Sequence, residues 1–152
     1  MRIKQLEVQF KEYIPEELQE GILYISMEYA TASHKCACGC GQEVVTPFTP
    51  TDWKLIYDGE SVSLSPSIGN WSYPCRAHYF IRNNRIVWAQ NMSQGAIAAG
   101  RRIDKVQKAK HYAKEDAVAV KLSSSAIRSQ EAKSISIIDK FLDSIARFFG
   151  WK

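Results

Sequence analysis

The densest chemistry in this 152-residue chain lies in His34-Lys-Cys36-Ala-Cys38-Gly-Cys40-Gly, with a complement at Pro74-Cys75-Arg-Ala-His78. Disulfides explain this set poorly, because one bridge would have to close inside the 36–40 cluster across one or three intervening residues, which strains the linkage. Zinc (Zn2+) explains it better: it takes four nitrogen or sulfur ligands tetrahedrally and tolerates a short loop followed by a distant second pair. Gly39 and Gly41 allow the backbone to fold tightly around an ion. The expected ligands are therefore drawn from Cys36, Cys38, Cys40, Cys75 and His78. The favoured four are Cys38, Cys40, Cys75 and His78, with Cys36 as a substitute or a third thiolate from the cluster. His34 is either a further ligand or a hydrogen-bonding histidine beside the site, and His111 reads as a surface residue.

A zinc held by two or three thiolates and a histidine is electron-rich and usually closed, so the spacing favours a structural metal. Pro74-Cys-x-x-His78 is like half of the zinc nucleobase deaminase signature, but the glutamate of H-x-E is missing, since Lys35 and Cys36 follow His34. No H-E-x-x-H is present. An iron–sulfur cluster is the other metal reading of the cysteines. No catalytic residue is assigned. For any hydrolysis, Asp52, Glu43 and Ser67 are the nearby polar candidates, and no spacing assembles them into a triad or dyad. Ser65-Pro-Ser-Ile-Gly-Asn-Trp71 is expected to pass close to the metal. Either Trp71 plugs the core there, or Ser67 and Asn70 donate hydrogen bonds to thiolate or to a bound peptide.

Elements that could hold these residues are legible on both sides of the cluster. Leu6, Val8 and Phe10 alternate as a short strand, and Gly21–Thr31 reads as one strand rich in aromatic and branched residues. Two hairpins follow: Trp53–Tyr57 with Ser61–Leu64 around Asp58-Gly59, and Tyr79–Arg82 with Arg85–Trp88 around Asn83-Asn84. After Trp88 the pattern turns helical, with Ser93 as the N-cap of a mostly solvated helix to about Lys114. Leu122–Gln130 reads as a serine-rich linker. Ile138, Phe141, Leu142, Ile145, Phe148 and Phe149 then draw one apolar stripe down a final helix. The fold class expected is α+β: a mainly antiparallel β zinc-binding domain over 1–92, then a helical extension over 93–152.

Charge divides the chain in the same place. Residues 1–90 hold 8 Lys/Arg against 10 Asp/Glu, and residues 91–152 hold 12 against 6, so the net charge of +4 describes neither part. All four cysteines fall in the first part. The composition, 45% hydrophobic and 24% charged, fits one ordinary domain able to bury a core. No run is long enough to span a membrane, and the alternating start resembles no signal peptide, so the expected compartment is the cytoplasm. Residues 101–114 carry six cations and one acid. They read as a solvated helix face, with nucleic acid or an acidic protein surface as alternative partners. The apolar stripe must be covered by the domain, by a partner or by a second copy of the chain.

His34-x-Cys-x-Cys-Gly-Cys-Gly, Val44-Val-Thr-Pro47, Pro50 with Trp53, Ser63-Leu-Ser-Pro-Ser-Ile-Gly-Asn-Trp71, Pro74-Cys-Arg-x-His-Tyr79 and Ile81–Trp88 together resemble a bacterial family of small predicted metal-binding proteins of unknown function. The resemblance runs from about Leu6 to Gly100, including Ala96-Ile-Ala-Ala-Gly. It transfers Cys36, Cys38, Cys40, Cys75 and His78 as ligands and nothing catalytic. Such proteins are often encoded beside a ubiquitin-like protein, an activating E1-like enzyme and an E2-like partner, in mobile or defence-associated islands. The resemblance implies an accessory or adaptor role in bacterial ubiquitin-like conjugation, with those proteins as partners. The alternatives are a zinc-dependent hydrolase or peptidase that processes the ubiquitin-like protein, and a nucleic-acid-binding zinc module.

Overall fold

A computed structural model describes the backbone of residues 1–148 and the side chains of residues 1–122. Eight strands precede one helix: β1 (Glu7–Phe10), β2 (Ile22–Ser26), β3 (Thr31–Lys35), β4 (Glu43–Pro47), β5 (Lys54–Tyr57), β6 (Val62–Gly69), β7 (His78–Arg82), β8 (Arg85–Trp88) and α1 (Gln94–Phe148). The strands form two four-stranded sheets in the orders β1-β2-β3-β4 and β5-β6-β7-β8. All pairings are antiparallel except β1 with β2. The α+β class expected from sequence is the one observed.

Side-chain alternation explains how the sheets meet. In β4, Val44 and Thr46 point inward while Glu43 and Val45 face water, the period of two that a half-buried strand requires. β2 is buried along its whole length, as its unbroken run Ile-Leu-Tyr-Ile demands. Leu23, Ile25 and Val44 of the first sheet share one core with Val62, Leu64 and Ile81 of the second. The sheets are also sewn edge to edge, where a bridge pairs Gln5 with Arg85. Backbone bonds from Leu6 to Asn84 and from Ile86 to Lys4, at 2.8 and 2.9 Å, flank that bridge.

Both predicted hairpins are present. Asp58 accepts the amides of Glu60 and Ser61 at 3.0 and 2.6 Å and so closes the β5–β6 turn. Asn83 and Asn84 have φ of 47° and 63°, the pair of left-handed residues that a two-residue turn needs. The single strand expected over Gly21–Thr31 is instead two. The chain turns at Met27–Ala30, with Ala30 at φ 44°, and returns as β3. Continuous apolar character hid that turn, because Met27 and Tyr29 are exposed within it.

Ser93 caps α1 as expected: its hydroxyl accepts the amide of Ala96 at 3.2 Å, and its carbonyl accepts that of Ile97 at 3.0 Å. Compact units divide between Ile103 and Asp104. Within α1, residues 101–114 are largely solvated, with Asp104–Lys108 and Glu115–His111 pairs one turn apart. The serine-rich stretch read as a linker lies inside α1. Serine in a helix interior costs only a few tenths of a kcal/mol, roughly half of what glycine costs, and Ala126, Arg128 and Gln130 favour helix. The side chains of the apolar stripe from Ile138 onward lie outside the described residues. No described helix is long and apolar enough to cross a membrane.

Candidate metal centre and a serine–histidine pair

Cys36 follows directly on β3 and is fully buried. Beyond it the chain reverses through a turn closed by Gly39 N–H to the Cys36 carbonyl at 3.0 Å, and Cys36 N–H reaches the Gln42 carbonyl at 2.7 Å. Gly39 must lack a side chain. Its φ is +83°, and a Cβ there would stand 2.7 Å from the Met1 carbonyl oxygen. Cys75 comes from the loop between β6 and β7. That loop is folded by Tyr73 N–H to Asn70 and Arg76 N–H to Tyr73, with Arg76 at φ 45°. The Tyr73 hydroxyl donates to the Glu43 carbonyl at 2.5 Å and ties this loop to β4.

These two loops bring the sulfurs of Cys36, Cys38, Cys40 and Cys75 within 4.8 Å of one another. Cys36–Cys38, Cys40–Cys75 and Cys36–Cys75 are 3.4, 3.7 and 4.0 Å apart, too far for disulfides. A zinc ion about 2.3 Å from each of four sulfurs makes a tetrahedron with edges of about 3.8 Å, so the spacing fits. Asn70 Nδ2 donates to Cys36 Sγ at 3.3 Å, a bond that favours thiolate. Burial pushes the Cys36 and Cys38 thiols up. For Cys40 desolvation acts in the same direction, but the Gln42 amide and the neighbouring thiols outweigh it and hold the group below its ordinary value. Thiols this crowded resist ionising together, and a divalent cation would supply the missing charge.

His34 and His78 stand outside this group of sulfurs. His34 is fully buried on β3, with Nε2 2.9 Å from the Tyr79 hydroxyl and Nδ1 without a partner. Desolvation lowers its pKa to about 4, and burial pushes the Tyr79 phenol up.

His78 opens β7, and both of its ring nitrogens are engaged. Nδ1 lies 2.7 Å from the Gln90 carbonyl oxygen, and Nε2 lies 3.0 Å from Ser67 Oγ. A carbonyl only accepts, so Nδ1 carries the proton in the neutral ring, and Nε2 is left to accept from the Ser67 hydroxyl. Ser67 reaches this position because β6 bulges. Leu64 faces Ile81 and Ile68 faces Tyr79, so the four-residue step on β6 spans only two on β7. Pro66, which has no N–H to offer a ladder, sits within the bulge. Both Ser67 and His78 are half-buried.

A hydroxyl donating to an imidazole whose far nitrogen is held by an acceptor is the arrangement of an activated nucleophile, its base and an orienting group. The orienting acceptor is the Gln90 carbonyl, the place that a carboxylate holds in a Ser-His-Asp triad. Neither Asp52 nor Glu43 takes it. Asp52 accepts from the Thr49 hydroxyl at 2.5 Å.

From sequence, His78 is assigned to the metal and Ser67 to a hydrogen bond near it, whereas the structure joins the two to each other. Their separation of eleven residues matches no local motif. The only sequence signal is Pro66 inside an otherwise regular strand, which marks a bulge. Of the two readings of the stretch before Cys75, Asn70 follows the one in which it donates to a cysteine sulfur, that of Cys36.

A family model described as "Bacterial ubiquitination-like system serine protease (BubE)" matches residues 10–89, just over half of the chain. No curated protein and no solved structure matches it.

Proposed function

Starting from a chain that belongs to the bacterial ubiquitination-like system serine protease (BubE) family, we propose that it is a serine peptidase with Ser67 as nucleophile and His78 as general base. We infer further that the substrate is the tail of the system's ubiquitin-like protein, and that its partners are proteins of that system. The carrying observation is the 3.0 Å contact between Ser67 Oγ and His78 Nε2, with Nδ1 anchored on the Gln90 carbonyl.

In this reading Oγ attacks the scissile carbonyl carbon while its proton passes to Nε2. The resulting imidazolium keeps its Nδ1–H on the Gln90 carbonyl, so the ring does not rotate away. Nε2–H then protonates the leaving amine, and the C–N bond breaks to give a Ser67 ester. Water attacks that ester, Nε2 takes the water's proton and returns it to Oγ, and the carboxylic acid leaves. A neutral carbonyl fixes the tautomer but stabilises the imidazolium less than a carboxylate would.

Cys36, Cys38, Cys40 and Cys75 would hold a zinc ion. A zinc bound by four thiolates is coordinatively closed and supplies a cross-link between the loop after β3 and the loop before β7. This makes the metal structural, and the hydrolytic chemistry does not need it as a Lewis acid. A cluster of reduced thiols suits the cytoplasm.

The test is labelling with a fluorophosphonate probe together with cleavage of a ubiquitin-like protein carrying residues beyond its mature tail. Label is expected on Ser67, and Ser67→Ala and His78→Ala should each lower the cleavage rate by roughly a thousandfold or more. His78→Ala should keep one zinc per chain, because the four sulfurs are intact. Cleavage undiminished in Ser67→Ala, or zinc lost from His78→Ala, overturns the assignment.

A further inference from the structure

The imidazole of His78 is held from a second direction, and the holder comes from the short stretch between β6 and Cys75. Gly69 is the ladder partner of His78. A residue with a side chain at that position would place its Cβ beside the imidazole on the same face of the sheet. Glycine leaves that space open, and the indole of Trp71 fills it: a Cβ on Gly69 would lie 2.3 Å from Trp71 Nε1 and 2.6 Å from its Cε2. No rotation of a flexible tip relieves such a clash, because the atoms belong to a rigid fused ring. From this seat the indole meets the His78 ring, with centroids 4.9 Å apart and planes inclined by 55°. Phe80, two residues along β7, meets the imidazole at 6.3 Å.

We propose that Trp71, seated in the gap left by Gly69, is a positioning residue that fixes the His78 ring so that Nε2 faces Ser67 Oγ. The two hydrogen bonds of the imidazole define its axis, but they leave it free to tilt about the line joining its partners. A flat ring packed against the imidazole removes that freedom. Misplacing a catalytic group by about 1 Å can cost roughly a hundredfold in rate, so the contact acts on turnover rather than on substrate affinity. This inference rests on Ser67 and His78 being the reacting pair.

The experiment compares Trp71→Leu, Trp71→Phe, Gly69→Ala and the Gly69→Ala/Trp71→Leu double variant in the full chain. Trp71→Leu is expected to lower kcat and the rate of fluorophosphonate labelling by roughly ten- to a hundredfold, with KM changed less than about twofold. Trp71→Phe, which restores a flat ring, is expected to recover most of that loss. Gly69→Ala should resemble Trp71→Leu, and the double variant should be no slower than the worse single one, since both remove one contact. A readout independent of catalysis is the proton NMR of the imidazole. In the wild-type protein the His78 ring protons are expected to carry a ring-current shift from the indole that is lost in Trp71→Leu, leaving the contribution of the more distant Phe80.

Wild-type kcat in Trp71→Leu overturns the proposal, as does a His78 spectrum unchanged by the substitution. So does failure of Trp71→Phe to recover activity at unchanged Tm. A fully active Ser67→Ala instead removes the reading on which the proposal rests, so the two failures are told apart.

Discussion

His34 has a histidine's pKa lowered to about 4 by burial, next to an ordinary value of 6.5. Between those values the unfolded chain binds a proton that the folded chain refuses, so stability falls as pH drops from about 6.5 to about 4. At pH 5 the deficit amounts to about 2 kcal/mol, and His34→Gln should escape it. Urea midpoints at pH 7.5 and pH 5 for both proteins test this. Any release of metal from the thiolates on acidification is common to both and cancels in the difference. Equal pH sensitivity in the two proteins would exclude His34 as the source. At this scale the four cysteines were readable, because thiol chemistry at short spacing has few uses. The pairing of Ser67 with His78 was not, because it depends on two extra residues in a bulge and on a carbonyl supplied by Gln90. Neither leaves a pattern of residue types. C-x-x-H reads as a ligand pair, whereas the structure places the His78 ring nitrogens on Gln90 and Ser67.

The turns that hold the strands are where single residues act through whole elements. Asn84 sits at φ 63° between β7 and β8, and its Oδ1 accepts the Val62 amide at 2.7 Å. Asn84→Ala places an L side chain in a left-handed conformation, at about 1 kcal/mol. It also strips a part-buried amide of its acceptor, at about 1–3 kcal/mol. A loss of about 2 kcal/mol in urea unfolding is expected, and Asn84→Gly should lose less because the backbone strain is relieved. If the two variants are equally stable, the left-handed turn contributes nothing. The hairpins were legible because Asp-Gly and Asn-Asn name their own turn geometry. The reversal at Met27–Ala30 was not, since its exposed Met27 and Tyr29 look like strand residues. The parallel pairing of β1 with β2 was also invisible, because alternation fixes which face a residue takes and not which neighbour its strand chooses.

Across the whole molecule the four-cysteine cluster and the serine–histidine pair share one segment. The loop from Asn70 to Ala77 leaves β6 two residues after Ile68 and delivers Cys75 to the sulfurs before it enters β7 at His78. On the proposed assignment, removing a metal held by the cysteines should therefore free one end of the strand that presents His78. Chelation, or Cys75→Ser without a chelator, is expected to lower Tm by about 10 °C or more and to slow fluorophosphonate labelling of Ser67. Calorimetry with and without chelator, read beside the labelling rate, checks both effects. A Tm indifferent to both treatments would rule out a structural metal.

The seam between the two sheets has a consequence for how the protein behaves in a crowded cell. Two four-stranded sheets present four outer strands, and each such strand is a template on which a foreign chain could polymerise. Here the residues just before β1 pair with β8 at Gln5 and Arg85, flanked by the Leu6–Asn84 and Ile86–Lys4 backbone bonds, so the start of β8 is covered by the fold itself. The outer strands β1, β4 and β5 are only four, five and four residues long and begin with Glu7, Glu43 and Lys54. Short length and a charge at the rim are the features that discourage fibril growth.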